Sequence, residues 1–261
     1  MVLLDCPNIH QRSHNQLHKT KAMHFKAALL LFTAEVTYAL IGNDWSIEPT
    51  PPNGLQDVAY PFNMGAAPHI SGYYFAQQYR FNNIQDVGYT GLQPRSDQGG
   101  KSIIHGVFSS FQKGTTTNHP NCHDGADSGP GVSCAIDISG DYSHTYHCIV
   151  ENIGNTTWRG TLLDTVTGVK DIIGEWTLPE EAGGIKGSEG GFIEYYPWND
   201  GKDHSCDSLP QTEVTFGDPI TRTDGAGKGQ IPSVYEYGGC EGRAGFVKEA
   251  TPEGWHLQVG F

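Results

Sequence analysis

The sequence has few basic residues, no long apolar run and no segment in which apolar residues recur with helical spacing over three turns. Each absence excludes something. A membrane-crossing helix needs roughly 20 consecutive apolar residues, and the apolar run Ala27 to Ala34 covers only eight. A nucleic-acid surface needs clustered Lys and Arg to displace counterions. The 16 Lys and Arg face 29 Asp and Glu, and no basic stripe follows residue 40. An acidic surface of this kind also repels anionic membranes and acidic polysaccharides. There is no G-x-S-x-G, no HExxH and no C-x-x-C pair of the kind that opens a zinc site. The run Gly225-Ala226-Gly227-Lys228-Gly229 lacks the strand-to-helix setting of a phosphate loop and reads as a surface turn.

What is present points to β structure. With 34 Gly, 15 Pro and only 17% charged residues, the composition suits many short strands joined by tight turns. The N-terminal part reads as a targeting segment: Lys19, Lys21 and Lys26 precede the apolar run, and Thr37-Tyr38-Ala39 gives a small-x-small cleavage pattern. On this reading Met23 is the start, residues 1–22 lie upstream of it, and cleavage after Ala39 leaves 12 basic against 27 acidic residues. The expectation is therefore an extracellular protein with no membrane span. Residues 40–69, with Pro49, Pro51, Pro52, Pro61 and Pro68, read as an extended lead-in on the surface of the domain. From residue 70 to 261, strand-like alternation recurs. It runs over Ile70 to Asn82, Val87 to Gln93, Ser102 to Gln112, Val132 to Ile138 and Thr145 to Asn152. It continues over Thr157 to Asp164, Lys170 to Leu178, Gly191 to Trp198 and Glu213 to Phe216, with closing strands after Gly238. The fold class expected is all-β, a single antiparallel β-sandwich or jelly roll.

Cysteine usage fits an oxidising compartment. Cys6 belongs to the upstream segment, and Cys122, Cys134, Cys148, Cys206 and Cys240 remain. The favoured pairing is Cys122 with Cys134, closing the Gly- and Asp-rich loop between them, and Cys206 with Cys240. Cys148, in the alternating run Tyr146 to Val150, is then a buried free thiol. Asn155-Thr156-Thr157 forms a glycosylation sequon in a turn. The loop holding His119, Asn121, His123, Asp124, Asp127 and Ser128 offers oxygen ligands, and Asp124 and Asp127 are its candidates for calcium; a solvated disulfide loop is the alternative.

The stretches YYFAQQYRF (73–81), GYTGLQ (88–93), GVFSSF (106–111), the Gly-rich Cys122–Cys134 segment, WRGTLLDTVTG (158–168), IGEWTLP (173–179) and FIEYY (192–196) follow one another in a particular order. That order resembles a poorly characterised family of secreted bacterial and fungal proteins that carry a domain of unknown function. The resemblance spans about residues 70 to 220. It implies an extracellular β-sandwich and brings neither a reaction nor catalytic residues.

Three function classes stand side by side. In the first, an aromatic and polar sheet groove binds carbohydrate. Its candidate residues are Phe192 and Tyr196 with Gln77, Gln78 and Arg80, because amides and guanidinium groups hydrogen-bond hydroxyls and rings cover sugar faces. Gln93 and His105 are further polar candidates. In the second, Glu194 and Glu175 act as a carboxylate pair of a glycan hydrolase or lyase, a chemistry that needs the two groups facing across one bond. The third is a noncatalytic surface or host-interaction protein. Against the first two stands the reading of Glu194 as half of a structural ion pair with Arg80 or Arg159.

Overall fold

The computed structural model describes residues 39–261; residues 1–38, which hold the expected targeting segment and Cys6, lie outside the described residues. The chain runs through β1 (Ala39–Glu48), β2 (Asp57–Asn63), β3 (Tyr73–Arg80), β4 (Val87–Gln98) and β5 (Lys101–Ser110). It continues through β6 (Cys122–Ala126), β7 (Gly129–Ser139), β8 (Thr145–Gly154), β9 (Thr157–Asp164) and β10 (Lys170–Thr177). The last strands are β11 (Ser188–Tyr195), β12 (Thr212–Gly217), β13 (Lys228–Glu236), β14 (Val247–Thr251) and β15 (Gly254–Val259). Among the described residues the only helical turns are three short 3-10 segments, and no helix is long and apolar enough to cross a membrane.

The strands form two antiparallel sheets. One has eight strands in the order β13-β1-β11-β3-β4-β5-β7-β6, the other seven in the order β10-β9-β8-β2-β12-β15-β14. This is the β-sandwich expected from the alternation pattern. Period-2 geometry sends one face of each strand inward. Tyr73, Phe75, Tyr79 and Phe81 from one sheet thereby meet Tyr60, Phe62, Trp158, Trp176 and Phe216 from the other. The rings pack as Phe108 stacked on Trp176 at 4.6 Å, Phe81 against Trp158 at 4.7 Å, and Trp45 edge-on to Tyr60 at 5.4 Å. Aromatic pairs in such geometries add about 0.5–1.5 kcal/mol each beyond the area they bury.

Residues 40–69 correct the expected surface lead-in. β1 lies inside the larger sheet between β11 and β13, and β2 lies inside the smaller one between β8 and β12. The apolar residues of the segment explain this: Leu40, Ile41, Trp45, Ile47, Val58, Tyr60 and Phe62 are all buried. The prolines fall where the ladders tolerate them. Pro49, Pro51 and Pro52 occupy the connection between β1 and β2. Pro61 needs no hydrogen-bonding N–H, because β12 pairs with β2 only at Phe62 and Asn63 and residue 220 bridges back at Ala59.

The disulfides join Cys122 to Cys134 and Cys206 to Cys240, and Cys148 is free and buried. The first bond is not the clasp of an irregular loop: Cys122 and Cys134 face each other across the β6–β7 hairpin. Asp127 and Ser128, at φ 44° and 65°, form its two-residue turn, the left-handed pair that matches strand twist. The run at 225–229, read as a surface turn, passes at Lys228 into β13, an edge strand of the larger sheet.

Candidate functional site

Strand register places a distinct set of side chains on the outer face of the eight-stranded sheet. Tyr235, Gly42, Phe192, Ala76, Gly91, Val107 and Ala135 are successive partners across seven strands. Four of the seven are Gly or Ala, so the middle of this row leaves room above the sheet. Gly42 lies under the Tyr235 ring, and a Cβ there would collide with it. Gly91 permits a close backbone approach, since its Cβ would strike the Phe75 carbonyl.

Rings from the two flanking rows fill that room. Tyr74 meets Tyr89 at 5.5 Å and Phe192 at 5.6 Å, Tyr89 meets Phe192 at 5.9 Å, and all three contacts are edge-to-face. With Ala76, Val107 and Tyr196 they form a small apolar cluster separate from the main core. Tyr74 is buried, and its hydroxyl has no hydrogen-bond partner among the described residues. An unmet buried hydroxyl is costly, by about 1–3 kcal/mol. Tyr89, Phe192 and Tyr196 remain partly exposed.

Polar groups surround this patch. Glu194, paired with Tyr74 in the register, accepts a hydrogen bond from Asn199 Nδ2 at 2.6 Å. Burial pushes its carboxyl above the usual carboxylate range, a shift that the Asn199 bond opposes and the charge of Asp127 reinforces. Asp127, at the tip of the β6–β7 hairpin, accepts from the Tyr89 hydroxyl at 2.5 Å. Arg95 donates to Tyr196 Oη at 3.0 Å and to Gln93 Oε1 at 2.7 Å. Gln93 is the register partner of His105, whose Nδ1 lies 2.7 Å from Asp137. Burial lowers the His105 pKa, with the Asp137 bond opposing that shift. Tyr237 also approaches Glu194, whose charge adds to the effect of burial in raising the phenol pKa.

The structure brings together Glu194, Phe192, Tyr196, Gln93 and His105 on this face, with Gln78 alongside Tyr89. It does not bring in the others. Gln77 has the same parity as Tyr73, Phe75 and Tyr79, so it points into the core, 1% exposed beside Asn43. Arg80 lies at the far end of β3 and pairs with Glu189 at 2.5 Å and with the Gln85 carbonyl at 2.7 Å. Glu175 belongs to β10 of the other sheet, where Arg159 binds its carboxylate at 2.7 and 2.8 Å. Sandwich sheets pack about 10 Å apart, and both carboxylates point away from the core between them, so Glu194 and Glu175 do not flank one bond. The ion-pair reading of Glu194 fails as well, because Arg80 and Arg159 are committed to Glu189 and Glu175. Asp124 is exposed, and among the described residues no group of three or more His, Cys, Asp or Glu comes together near it or Asp127. Asn155 lies exposed in the β8–β9 turn at φ 50°.

Sequence reasoning missed Tyr74, Tyr89, Arg95, Asn199 and Tyr237. Extending the alternation of β4 would have found Tyr89, which shares a face with Gly91 and Gln93. Asn199 and the hairpin tip reach the site through tertiary folding and carry no local signal.

No family model matches the sequence, and no curated protein gives a significant match. Among solved structures, the chain is similar to scytalido-glutamic peptidase with a peptide-based transition-state analogue, at 14% identity and TM-score 0.46, covering 85% of this chain and 98% of that one. It is also similar to SCP-B, a member of the eqolisin family of peptidases, in complex with the tripeptide Ala-Ile-His, at 14% identity and TM-score 0.42, over 85% and 98% of the two chains. A third likeness is to the CBM2 module of the evolved Dit of Lactobacillus casei phage J-1, at 10% identity and TM-score 0.29, over 58% and 67%. Similarities this distant assign no activity to the chain.

Proposed function

We propose that the protein is an extracellular glycan-binding protein whose ligand lies on the outer face of the eight-stranded sheet. One observation carries the reading: partly exposed Tyr89, Phe192 and Tyr196 sit around a buried Tyr74 hydroxyl with no partner among the described residues, ringed by Gln78, Gln93, Arg95 and Glu194. Rings supply flat apolar surface for the C–H face of a sugar, and the amides, guanidinium and carboxylate match its hydroxyls. The two disulfides suit an oxidising setting. A glycan-array screen followed by calorimetry on Phe192→Ala tests the reading. Binding that Phe192→Ala weakens at least tenfold, with the fold intact, supports it; binding untouched by Phe192→Ala removes it.

A second reading rests on Glu194 and Asp127. Burial raises the Glu194 pKa, and the charge of a second carboxylate, Asp127, adds to that shift. Glycoside hydrolysis uses such a pair, one acid donating to the leaving oxygen and one carboxylate acting from the other side. Release of reducing ends from a bound glycan, abolished in Glu194→Gln, separates hydrolysis from binding alone.

A further inference from the structure

A cavity of about 630 Å³ lies at one end of the sandwich, away from the aromatic patch. It falls in the range of about 300–1,000 Å³ usual for small-molecule sites. Its walls come from four separate connections. Asn53 and Gln56 precede β2, Asn82 and Asn83 follow β3, Asn155 forms the β8–β9 turn, and the loop at 182–184 closes one side. Trp158 lines it as well; its Nε1–H is buried and has no acceptor among the described residues.

The chemistry of this lining is unusual for its uniformity, since no charged side chain of the described residues contributes to it. An ion would find no countercharge in this lining. A purely apolar ligand would strand the amides. Each amide offers both donors and an acceptor, which is the complement of a hydroxyl. Asn152 is committed to its own turn, donating to the Asn155 carbonyl at 2.8 Å and accepting from Gly154 N at 3.0 Å. Asn53 and Gln56 enter secondary structure through their backbones, with Asn53 O accepting from Gly184 N and Gln56 O from Asn152 N. Both side chains line the cavity and are solvent-exposed, so their amides are open to a ligand.

We propose that this cavity is a second binding site, for a single neutral saccharide unit, independent of the outer-face site. Two sources share that chemistry: a free sugar, or the first residue of a glycan attached to Asn155, whose sequon borders the cavity.

The test uses isotope-labelled protein from a host that does not glycosylate, titrated at millimolar concentrations with glucose, mannose and N-acetylglucosamine while the side-chain NH₂ signals of Asn53, Gln56 and Asn83 are followed. A saturable shift with one sugar is expected. Loss of the amides in Asn53→Leu/Gln56→Leu should weaken it at least tenfold, as two hydrogen bonds of about 0.7 kcal/mol or more each require. Glu194→Gln should leave it unchanged, which separates failure here from failure of the outer-face reading. An unchanged melting temperature establishes that the double variant folds. In a second arm the protein is made in a glycosylating host and trimmed to the first sugar. If the attached residue fills the cavity, the same amide signals are already displaced and no longer respond to free sugar. If the signals match the unglycosylated protein and still respond, the occupant is a free sugar. Amide signals that stay in place with every sugar and in the glycosylated protein, or a response that survives in Asn53→Leu/Gln56→Leu, overturn the proposal.

Discussion

Replacing Glu194 by Gln separates a ligand-facing carboxyl from a structural one. Glutamine keeps an oxygen where Glu194 Oε1 accepts the 2.6 Å bond from Asn199, so that contact survives. What disappears is a charge that burial disfavours. The folded pKa of Glu194 lies above its unfolded value of about 4.3. Its contribution to stability is thus fully present below pH of about 4.3 and is lost as pH rises through the folded pKa. The loss amounts to about 1.4 kcal/mol for every tenfold ratio between the unfolded and folded acidity constants. Glu194→Gln does not undergo that loss. The two proteins should melt together in acid, and the variant should match or exceed the wild type at neutral pH. A change of about 1 kcal/mol moves the midpoint of a domain this size by about 2–4 °C, within reach of calorimetry as a function of pH. A buried ion-pair partner behaves oppositely: its removal costs about 3–5 kcal/mol at neutral pH, a fall of roughly 6–20 °C that shrinks on acidification. Such a fall would refute the reasoning.

Asp57 is buried and accepts from Arg222 N and Nε, Thr221 Oγ1 and Thr223 Oγ1. Asp57→Ala should therefore cost about 2–4 kcal/mol in urea unfolding, and a cost below about 1 kcal/mol would show the network to be dispensable. Glu175→Gln breaks a pair that is about one-third exposed on both sides. It should cost no more than about 1 kcal/mol and leave any glycan affinity unchanged. Burial pushes the Cys148 thiol up to about 12. Iodoacetamide should leave it unmodified in the native protein at pH of about 8 and modify it fully in denaturant, as mass spectrometry would register.

The sandwich was legible because its strands alternate cleanly. β9 begins and ends at Thr157 and Asp164, as the pattern requires, and β3, β5, β8 and β10 differ from it by a few residues at their ends. Prolines hid β1 and β2. The proline-rich connection masked two apolar strands, and only the sheet order shows that Pro61 meets a gap in its ladder. Half of the polar site was legible. Phe192 and Glu194 follow from alternation within one strand, whereas Gln77 and Gln78 are adjacent and only the placement of the core decides which points out. Pairing Glu194 with Glu175 failed because nothing local to either strand states which sheet it joins. Asp127 stood out in the sequence only through the acidic composition of its loop. The tyrosine that bonds it lies 38 residues away, and only the folded hairpin brings the two together.

Whether ligand meets the aromatic patch is reported most directly by side-chain amide chemical shifts. Titration with the highest-affinity glycan from an array should perturb Gln78, Gln93 and Asn199, with the effect lost in Phe192→Ala. Perturbations confined to the outer face of the seven-stranded sheet around Arg159 and Glu175, or equal ones in wild type and Phe192→Ala, would contradict binding at the patch.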